Sequence, residues 1–224
     1  MRAAAAPPQV TFVGHATVLI EVAGVRILTD PVLTDRVGFI RRVADPVPAH
    51  TAHDIDLVLI SHLHHDHLHV PSLRRIAPGA PVVVPRGAAH VARRGRFDDI
   101  VEVVEGDRIT VRDVTVTVVP AIHKDQRLPF GRRAQPVGYL VEAGGWSCYF
   151  AGDTDLFDEM HALDGRVDVA LLPVWGWGPT LGHGHLDPSR AAEAVDRIRP
   201  ASVVPIHWGT LWPIGLGRYR ADRL

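Results

Sequence analysis

The chain has 224 residues, of which 46% are hydrophobic and 22% are charged, and its 24 basic and 25 acidic residues give a formal net charge of −1. This length suits one domain, and the near-zero charge gives no electrostatic reason to expect nucleic acid or an anionic membrane as the main partner. The single cysteine, Cys148, excludes a disulfide framework and is compatible with a reducing compartment.

The start of the sequence carries no pattern typical of a targeting segment. Residues 1–8 (MRAAAAPP) fall far short of the roughly 7–15 apolar residues of a signal peptide, and we expect a flexible tail there. No window approaches the roughly 18 apolar residues of a transmembrane helix. We therefore expect a single domain over residues 1–224, a cytoplasmic location and no transmembrane segment.

Short runs rich in Val, Ile and Leu, bounded by Gly, Pro and Asp, recur along the chain and are typical of β-strands. In chain order they cover residues 10–13, 17–22, 25–29, 56–60, 81–84, 100–104, 108–119, 137–142, 146–151, 168–174 and 202–206. Residues 57–60 and 169–172 are apolar without interruption, which suits strands that are covered on both faces.

Helices are fewer, and the patterns predict them at residues 70–77, 88–94, 156–163 and 188–198. The third follows residues 153–155 (DTD), which are residue types that cap helix starts. The last is the clearest, because Asp187 is a plausible N-cap and Pro188 fits the first turn. Strands in the majority with interspersed helices predict two sheets covered by helices, an α/β layered sandwich.

Five of the 14 histidines lie in one stretch, residues 61–69 (SHLHHDHLH), directly after an apolar strand. Imidazole and carboxylate side chains together are the ligand set for zinc, iron or manganese. The spacing H-x-H-x-D-H is formed by His62, His64, Asp66 and His67. It predicts a metal site, with a solvated histidine-rich loop as the alternative. His65 and His69 fall outside the spacing, and we expect no metal-binding role for them.

The H-x-H-x-D-H motif after an apolar strand resembles the signature of the metallo-β-lactamase superfamily. Further motifs occur in the expected order at residues 14–17 (GHAT), 28–31 (LTDP), 151–154 (AGDT) and 205–210 (PIHWGT). Together they resemble the branch that contains N-acylphosphatidylethanolamine-hydrolysing phospholipase D and its small bacterial relatives, with the ascorbate-phosphate lactonases as more distant members. The resemblance spans residues 10–212 and implies a four-layer αββα sandwich of two mixed sheets flanked by helices.

The same resemblance implies two divalent metal ions, with zinc as the first expectation and manganese or iron as alternatives. The implied ligands are His62, His64 and His123 for the first ion, Asp66, His67 and His207 for the second, and Asp153 as the bridge between them. The residues alone are consistent with this, because His123, Asp153 and His207 each follow an apolar strand. Taken singly, Asp153 could instead cap a helix and His207 could be a buried, hydrogen-bonded histidine.

Two further residues are candidates for supporting the ligands, since a ligating imidazole usually donates its other N–H group to a fixed acceptor. Asp30 follows an apolar strand, and initiating an Asp-Pro turn is an equally plausible role for it. His15 could support a ligand or only the hairpin in which it lies.

Residues 173–188 (PVWGWGPTLGHGHLDP) combine aromatic side chains and histidines with glycines next to the predicted metal edge. This composition predicts an apolar wall or mobile flap over the site, with a surface loop that only covers core as the alternative. The predicted substrate-binding residues are Trp175, Trp177, His183 and His185. The resemblance aligns His185 with a histidine that contacts the substrate phosphate, which makes it a candidate phosphate binder or proton donor. The basic residues after His123 could attract a phosphate, but we expect them to form a solvated basic loop; they are Lys124, Arg127, Arg132 and Arg133.

These residues predict a dinuclear metal-dependent hydrolase in which a metal-bridging hydroxide attacks a phosphodiester or a similar ester, with Asp66 and His185 as the candidate catalytic residues. A lactonase that acts on a small phosphorylated lactone is one alternative. A non-hydrolytic metal-binding or redox protein on the same fold is the alternative of another class. The expected partner is a small-molecule or lipid-like substrate, and no nucleic acid is expected. The sequence gives no oligomeric state.

Overall fold

The computed structural model describes residues 6–127, 131 and 133–216, so residues 1–5 of the predicted tail lie outside the described part of the chain. The strands are β1 (Gln9–Gly14), β2 (Thr17–Val22), β3 (Val25–Thr29), β4 (Arg36–Val37), β5 (Ile40–Arg42), β6 (Leu57–Leu59), β7 (Val82–Pro85), β8 (Ile100–Val103), β9 (Arg108–Val111), β10 (Val114–Pro120), β11 (Val137–Ala143), β12 (Trp146–Phe150), β13 (Val169–Pro173), β14 (Ser202–Ile206) and β15 (Leu211–Pro213). The α-helices are α1 (Val70–Leu73), α2 (Ala89–Ala92) and α3 (Pro188–Ile198). Short 3-10 turns lie at Ala49–Ala52, Arg93–Gly95 and Asp158–Leu163.

Two six-stranded mixed sheets carry the fold, in the strand orders β1-β2-β3-β6-β7-β8 and β14-β13-β12-β11-β10-β9. In the first sheet β1, β2 and β3 are antiparallel, and β3, β6, β7 and β8 are parallel. In the second sheet β9 to β12 are antiparallel, and β12, β13 and β14 are parallel. Each sheet thus has an antiparallel half and a parallel half.

The main hydrophobic core lies between the two sheets, and a second layer of apolar contacts covers each outer face. Leu57 and Leu59 of β6 point into the inter-sheet core, whereas Val58 between them packs under α1 and α2. On the second sheet, Tyr149 packs outward against α3 and the 3-10 turn at Asp158–Leu163. This alternation explains the uninterrupted apolar runs, because both faces of these strands are covered. The predicted αββα sandwich is confirmed.

Several predicted elements differ from the structure. Residues 108–119 form two strands, β9 and β10, because Arg112 takes a left-handed conformation (φ +51°) in a turn between them. The predicted helices at 70–77 and 88–94 shrink to the single turns α1 and α2, which are too short to be stable without packing against the sheet. The predicted helix at 156–163 is a 3-10 turn without a side-chain cap.

The capping residues expected for that third helix are occupied elsewhere. Thr154 accepts a hydrogen bond from the Ile122 N–H group instead (2.9 Å), and Asp153 faces the metal centre described below. In contrast, α3 begins as predicted, since the Asp187 carboxylate accepts a hydrogen bond from the Arg190 N–H group (2.8 Å). In the described part of the chain, no helix is both long enough and apolar enough to span a membrane.

A small third sheet, β15-β5-β4, was not predicted from the sequence. Its hairpin β4–β5 buries Val37 and Ile40 against Leu211 of β15, with Trp177 packed beside them. Strands of two or three residues are too short to give a recognisable apolar alternation. This small sheet forms one wall of the cavity at the functional edge.

The carboxyl ends of β1, β3 and β6 lie at one edge of the first sheet, since β1 and β3 both run antiparallel to β2. The carboxyl ends of β10, β12 and β14 lie together in the second sheet for the same reason. The two edges adjoin, because His64 after β6 contacts His123 after β10. Loops at such an edge are where α/β proteins place binding and catalytic groups.

Candidate metal centre

A first cluster of donor atoms gathers around His64. The Nδ1 atom of His64 lies 3.0 Å from Nε2 of His62 and 3.1 Å from Nε2 of His123. The Oδ2 atom of Asp153 lies 3.8 Å from Nε2 of both His62 and His123. These four donors lie close enough together to hold one ion.

A second cluster shares the same carboxylate oxygen. The Nε2 atoms of His67 and His207 lie 3.2 Å apart, and each is 3.2 Å from Asp153 Oδ2. Oδ2 of Asp66 lies 3.8 Å from Nε2 of His67 and 3.7 Å from Nε2 of His207. Asp153 therefore stands between the two clusters, and the seven predicted ligands are brought together in two sets of four.

These separations match the size of a metal ion. Donor atoms bound at about 2.0–2.1 Å in a tetrahedral arrangement lie about 3.3–3.4 Å from one another, and the distances here run from 3.0 to 3.8 Å. Two imidazoles and two carboxylates in one set, and three imidazoles with one carboxylate in the other, are donors typical of zinc, iron or manganese.

Backbone carbonyl groups fix the protonation of two ligands. Nδ1 of His123 lies 2.5 Å from the Gly184 carbonyl oxygen, and Nδ1 of His207 lies 2.9 Å from the Trp175 carbonyl oxygen. A carbonyl oxygen can only accept, so both Nδ1 atoms carry the proton. In the neutral ring, each Nε2 atom then presents a lone pair to the centre of the site.

Asp30 fixes two further ligands, one from each cluster. Its Oδ2 atom accepts from Nδ1 of His67 (2.6 Å) and from the Ser61 hydroxyl group (2.5 Å). Because the Ser61 hydroxyl group donates its proton to Asp30, its oxygen atom accepts a hydrogen bond from Nδ1 of His62 (2.9 Å). The Ser61 N–H group donates to the other Asp30 oxygen (2.7 Å). One buried carboxylate thus orients a ligand of each proposed ion.

Neutral ligands held in this way would repel one another without a cation. The Nε2 atoms of His67 and His207 face each other at 3.2 Å, and Oδ1 of Asp153 is buried with no hydrogen-bond partner among the described residues. Buried polar atoms normally have partners, and a cation between these donors would satisfy them together. The residues present therefore fit a pair of metal ions.

The electrostatic field of the site also favours positive charge. Burial alone would raise the pKa of Asp153, but His207 and His67 hold the pKa of this carboxyl well below its usual range. Burial alone would lower the pKa of His67, but the carboxylates of Asp153, Asp30 and Asp66 raise it well above the ordinary value. A proton and a metal ion would compete for Nε2 of His67, so a bound ion would displace a proton held there.

Gly152, after β12, allows the second sheet to lie close to Ser61 at the edge of the first sheet. Gly152 has φ +62°, and a Cβ atom there would lie 2.4 Å from Cβ of Ser61. A larger residue at this position would push Asp153 away from the motif loop that follows Ser61. The AGDT motif therefore needs its glycine both for the backbone conformation and for the close approach.

A cavity of about 590 Å³ opens above the two clusters. Its floor is polar, and its residues are His64, Asp66, Asp153, His185 and His207. One wall is apolar, where Phe39 of the β4–β5 hairpin contacts Trp177 edge-to-face with ring centroids 5.1 Å apart. Lys124 and His65 lie on the rim. The cavity has the size and the mixed lining of a small-molecule site.

His185 belongs to the floor of this cavity, next to the shared carboxylate. Its Nε2 atom lies 3.5 Å from Oδ2 of Asp153, and its Nδ1 atom donates to the Gly182 carbonyl oxygen (3.1 Å). Burial alone would lower the pKa of His185, but the hydrogen bond with Asp153 raises it. His185 therefore turns its Nε2 atom toward the shared carboxylate and the cavity.

The other predicted substrate residues have different positions. The Trp177 ring lines the cavity, whereas neither Trp175 nor His183 is among its lining residues. The Trp175 indole donates back to the Gly178 carbonyl oxygen (2.9 Å), and the residue contacts the site through its own carbonyl group. His183 is exposed. The glycine-rich loop thus lines the cavity with residues 176–182 and with His185.

The family comparison agrees with this geometry. A model of the beta-lactamase superfamily domain matches residues 25–208. The chain belongs to the metallo-β-lactamase superfamily. One relative is a UPF0173 metal-dependent hydrolase of Methanopyrus kandleri, which is 34% identical to this chain over 215 residues. The match covers 92% of this chain and 86% of the relative.

Other superfamily relatives are longer than this chain. An uncharacterised protein of Mycobacterium tuberculosis is 33% identical over 217 residues, and the match covers 90% of this chain but only 58% of that relative. The N-acyl-phosphatidylethanolamine-hydrolyzing phospholipase D 1 of Caenorhabditis elegans is 30% identical, with 93% of this chain and 65% of the relative covered. The structure of Igni18, a metallo hydrolase from Ignicoccus hospitalis, matches with a TM-score of 0.70 at 26% identity, covering 90% of this chain and 83% of that one.

One residue near the superfamily motif was misinterpreted from the sequence. Arg127, expected in a solvated basic loop, is partly buried and donates to the carbonyl oxygens of Leu63 (2.6 Å) and Leu68 (3.0 Å). Its guanidinium group also lies 3.0 Å from Nδ1 of His65. Burial, with the nearby Arg94, lowers the pKa of Arg127 to about 10, so it stays charged at neutral pH. No spacing rule links residue 127 to residues 63–68, so only the fold shows this contact.

We expect Arg127→Met to loosen the motif loop. Two carbonyl groups would lose a charged donor, which costs about 1–3 kcal/mol in the free energy of unfolding, and the affinity for metal would fall because the loop carries His64 and Asp66. Thermal unfolding and zinc titration measure both effects. The matched control is Arg133→Met, since Arg133 is exposed and, among the described residues, its guanidinium group pairs with the Asp125 carboxylate at 3.2 Å. Equal stability of the two variants would contradict the expected role.

Proposed function

We propose that this chain is a dinuclear metal-dependent hydrolase that cleaves a phosphodiester or a similar ester. The observation that carries the proposal is the convergence of two donor clusters on Oδ2 of Asp153, which lies 3.8 Å from Nε2 of His62 and His123 on one side and 3.2 Å from Nε2 of His67 and His207 on the other. Two ions held there would lower the pKa of a water molecule to about 7 and polarise the scissile group. Zinc is the first expectation, with manganese or iron as alternatives.

Among the described residues, no cysteine or serine lines the cavity. Cys148 is buried in the inter-sheet core, where burial raises the pKa of its thiol, and a protonated, inaccessible thiol is inert. Ser61 is buried and donates its hydroxyl proton to Asp30. Among the described residues, the groups that reach the cavity floor are carboxylates and imidazoles. This composition supports hydrolysis by activated water.

The chain's own residues have separate roles in the proposed reaction. One ion would be held by three imidazoles, those of His62, His64 and His123. The other would be held by Asp66, His67 and His207. Nε2 of His185 lies beside Asp153 at the cavity floor, where the protonated imidazole can bind a phosphoryl oxygen or protonate the leaving group. Lys124 on the rim adds positive charge for an anionic substrate.

The apolar wall supports a substrate with an apolar substituent. Phe39 is 62% exposed although it touches the Trp177 ring, so both rings offer unburied apolar surface at the cavity. Covering an aromatic side chain of this size contributes about 1.5–3 kcal/mol. The similarity to the phospholipase D of C. elegans supports a phosphodiester with an apolar group. A small phosphorylated lactone remains the alternative within the same chemistry.

The test uses metal-free protein that is reloaded with zinc or manganese. We expect turnover of bis(p-nitrophenyl) phosphate, with kcat/KM higher than for a methyl p-nitrophenyl diester that lacks the second ring. Faster turnover of lactones than of phosphodiesters would favour the lactonase alternative. Protein that binds two ions and hydrolyses no phosphodiester, lactone or carboxyl ester would contradict the proposal and favour a non-hydrolytic metal or redox role.

A further inference from the structure

A buried histidine outside the proposed ligand set, His15, lies against the second cluster. It follows β1 and is 1% exposed. Its Nε2 atom lies 3.0 Å from Oδ2 of Asp66, the oxygen that faces His67 and His207. Its ring centroid is 4.1 Å from that of His207 and 5.2 Å from that of His67. One side chain thus touches three members of the second cluster.

The backbone of His15 joins it to the segment that carries His207. The His207 N–H group donates to the His15 carbonyl oxygen (2.8 Å), and the His15 N–H group donates to Oγ1 of Thr210 (2.7 Å). Residue 15 therefore bonds to the motif loop through its ring and to the loop after β14 through its main chain. These two loops supply Asp66 and His207 to the same cluster.

The turn that holds His15 is strained and tightly packed. His15 has φ +58°, a left-handed conformation that is unfavourable for a non-glycine residue. Gly14 before it has φ +132°, and a Cβ atom there would lie 2.8 Å from both Cγ2 of Thr210 and Nη2 of Arg42. Strain of this kind persists only where the surroundings fix it, so the direction of the His15 ring is set by the fold.

The contacts of His15 are confined to one side of the centre. Among the described residues, its ring contacts are those with His67 and His207, both of the second cluster. The first cluster is oriented by other groups, namely Ser61 for His62 and the Gly184 carbonyl for His123. A donor that fixes the Asp66 carboxylate before an ion binds reduces the ordering cost of binding at that cluster alone.

We propose that His15 is a positioning residue that sets the affinity of the second metal site through its hydrogen bond to Asp66, without affecting the first site. This inference rests on the proposed dinuclear function. It adds a residue that sets the affinity for the second ion independently of the affinity for the first. Loss of the His15 donor leaves a protein with the first ion in place and the second weakly bound.

The test compares His15→Phe with His15→Gln in metal-free protein titrated with zinc by calorimetry and with Co²⁺ by visible absorption. Phenylalanine keeps a ring and loses the donor, whereas glutamine keeps an N–H donor, and both retain the unfavourable backbone conformation. We expect His15→Phe to weaken the second ion about 10–100-fold, with the first dissociation constant unchanged. His15→Gln should recover most of the loss.

A third variant guards against a failure to fold. Asparagine tolerates the left-handed conformation and is too short to reach Asp66, so His15→Asn should fold and still lose the second ion. A wild-type second dissociation constant in His15→Phe or His15→Asn would overturn the inference, as would equal weakening in His15→Phe and His15→Gln. Wild-type protein that binds fewer than two ions would instead contradict the proposed function, which separates the two failures.

Discussion

Asp66→Ala is expected to remove the second ion and to lower kcat for a phosphodiester by about 10³-fold. A metal ion that stabilises the charge of the transition state lowers the activation free energy by several kcal/mol. About 1.4 kcal/mol of activation free energy corresponds to a factor of ten in rate. Asp66 Oδ2 faces Nε2 of both His67 and His207, so its loss weakens that cluster directly. The first ion should bind as in the wild type, because Asp66 is not among its four donors.

Metal content by mass spectrometry and steady-state rates measure the Asp66 effect, with circular dichroism to show that the core stays folded. Asp98→Ala is the matched control, since Asp98 is an exposed carboxylate outside the cavity lining. Two tightly bound ions in Asp66→Ala, or turnover within a few-fold of wild type, would remove Asp66 from the second site.

His185→Ala should keep both ions and lower kcat/KM for phosphodiesters by about 10²–10³-fold, in the range of lost general acid catalysis. The imidazole faces the cavity above Asp153 and is outside both donor sets. If His185 protonates the leaving group, the loss grows as the leaving alcohol becomes less acidic. If it binds the phosphoryl oxygen, the loss is similar for every leaving group.

His183→Ala is the matched control for that experiment, because His183 lies two residues away in the same loop and is exposed. It should leave the rate and the metal content unchanged. Unchanged cleavage in His185→Ala, across leaving groups, would exclude His185 from the mechanism. Loss of an ion in His185→Ala would show that it acts as a ligand instead.

The clustering of the candidate ligand residues could be predicted because each follows a strand end and carries a distinctive side chain. His62, His67 and Asp153 lie within motifs that are local in sequence, and the parallel halves of the sheets bring strand ends to one edge. The role of Asp30 in orienting ligand residues could also be predicted from local sequence, since Asp30 directly follows β3. The structure adds the reason for its position, which is that it accepts from Ser61 and His67 at once.

Other features depend on contacts that no local pattern encodes. Arg127 looks like a loop residue in sequence, and its role comes from carbonyl groups about sixty residues away. Trp175 acts through its main chain, which side-chain chemistry cannot indicate. The β4–β5 hairpin has strands of two and three residues, so its apolar wall was missed although Phe39 stands in it.

The most direct test of the proposed dinuclear centre is anomalous diffraction at the zinc edge from crystals of the reloaded protein. We predict two peaks about 3.5–4 Å apart, one within bonding distance of His62, His64 and His123 and the other beside Asp66, His67 and His207, with Asp153 contacting both. A single peak, or two peaks bound elsewhere while these seven side chains hold only water, would contradict it.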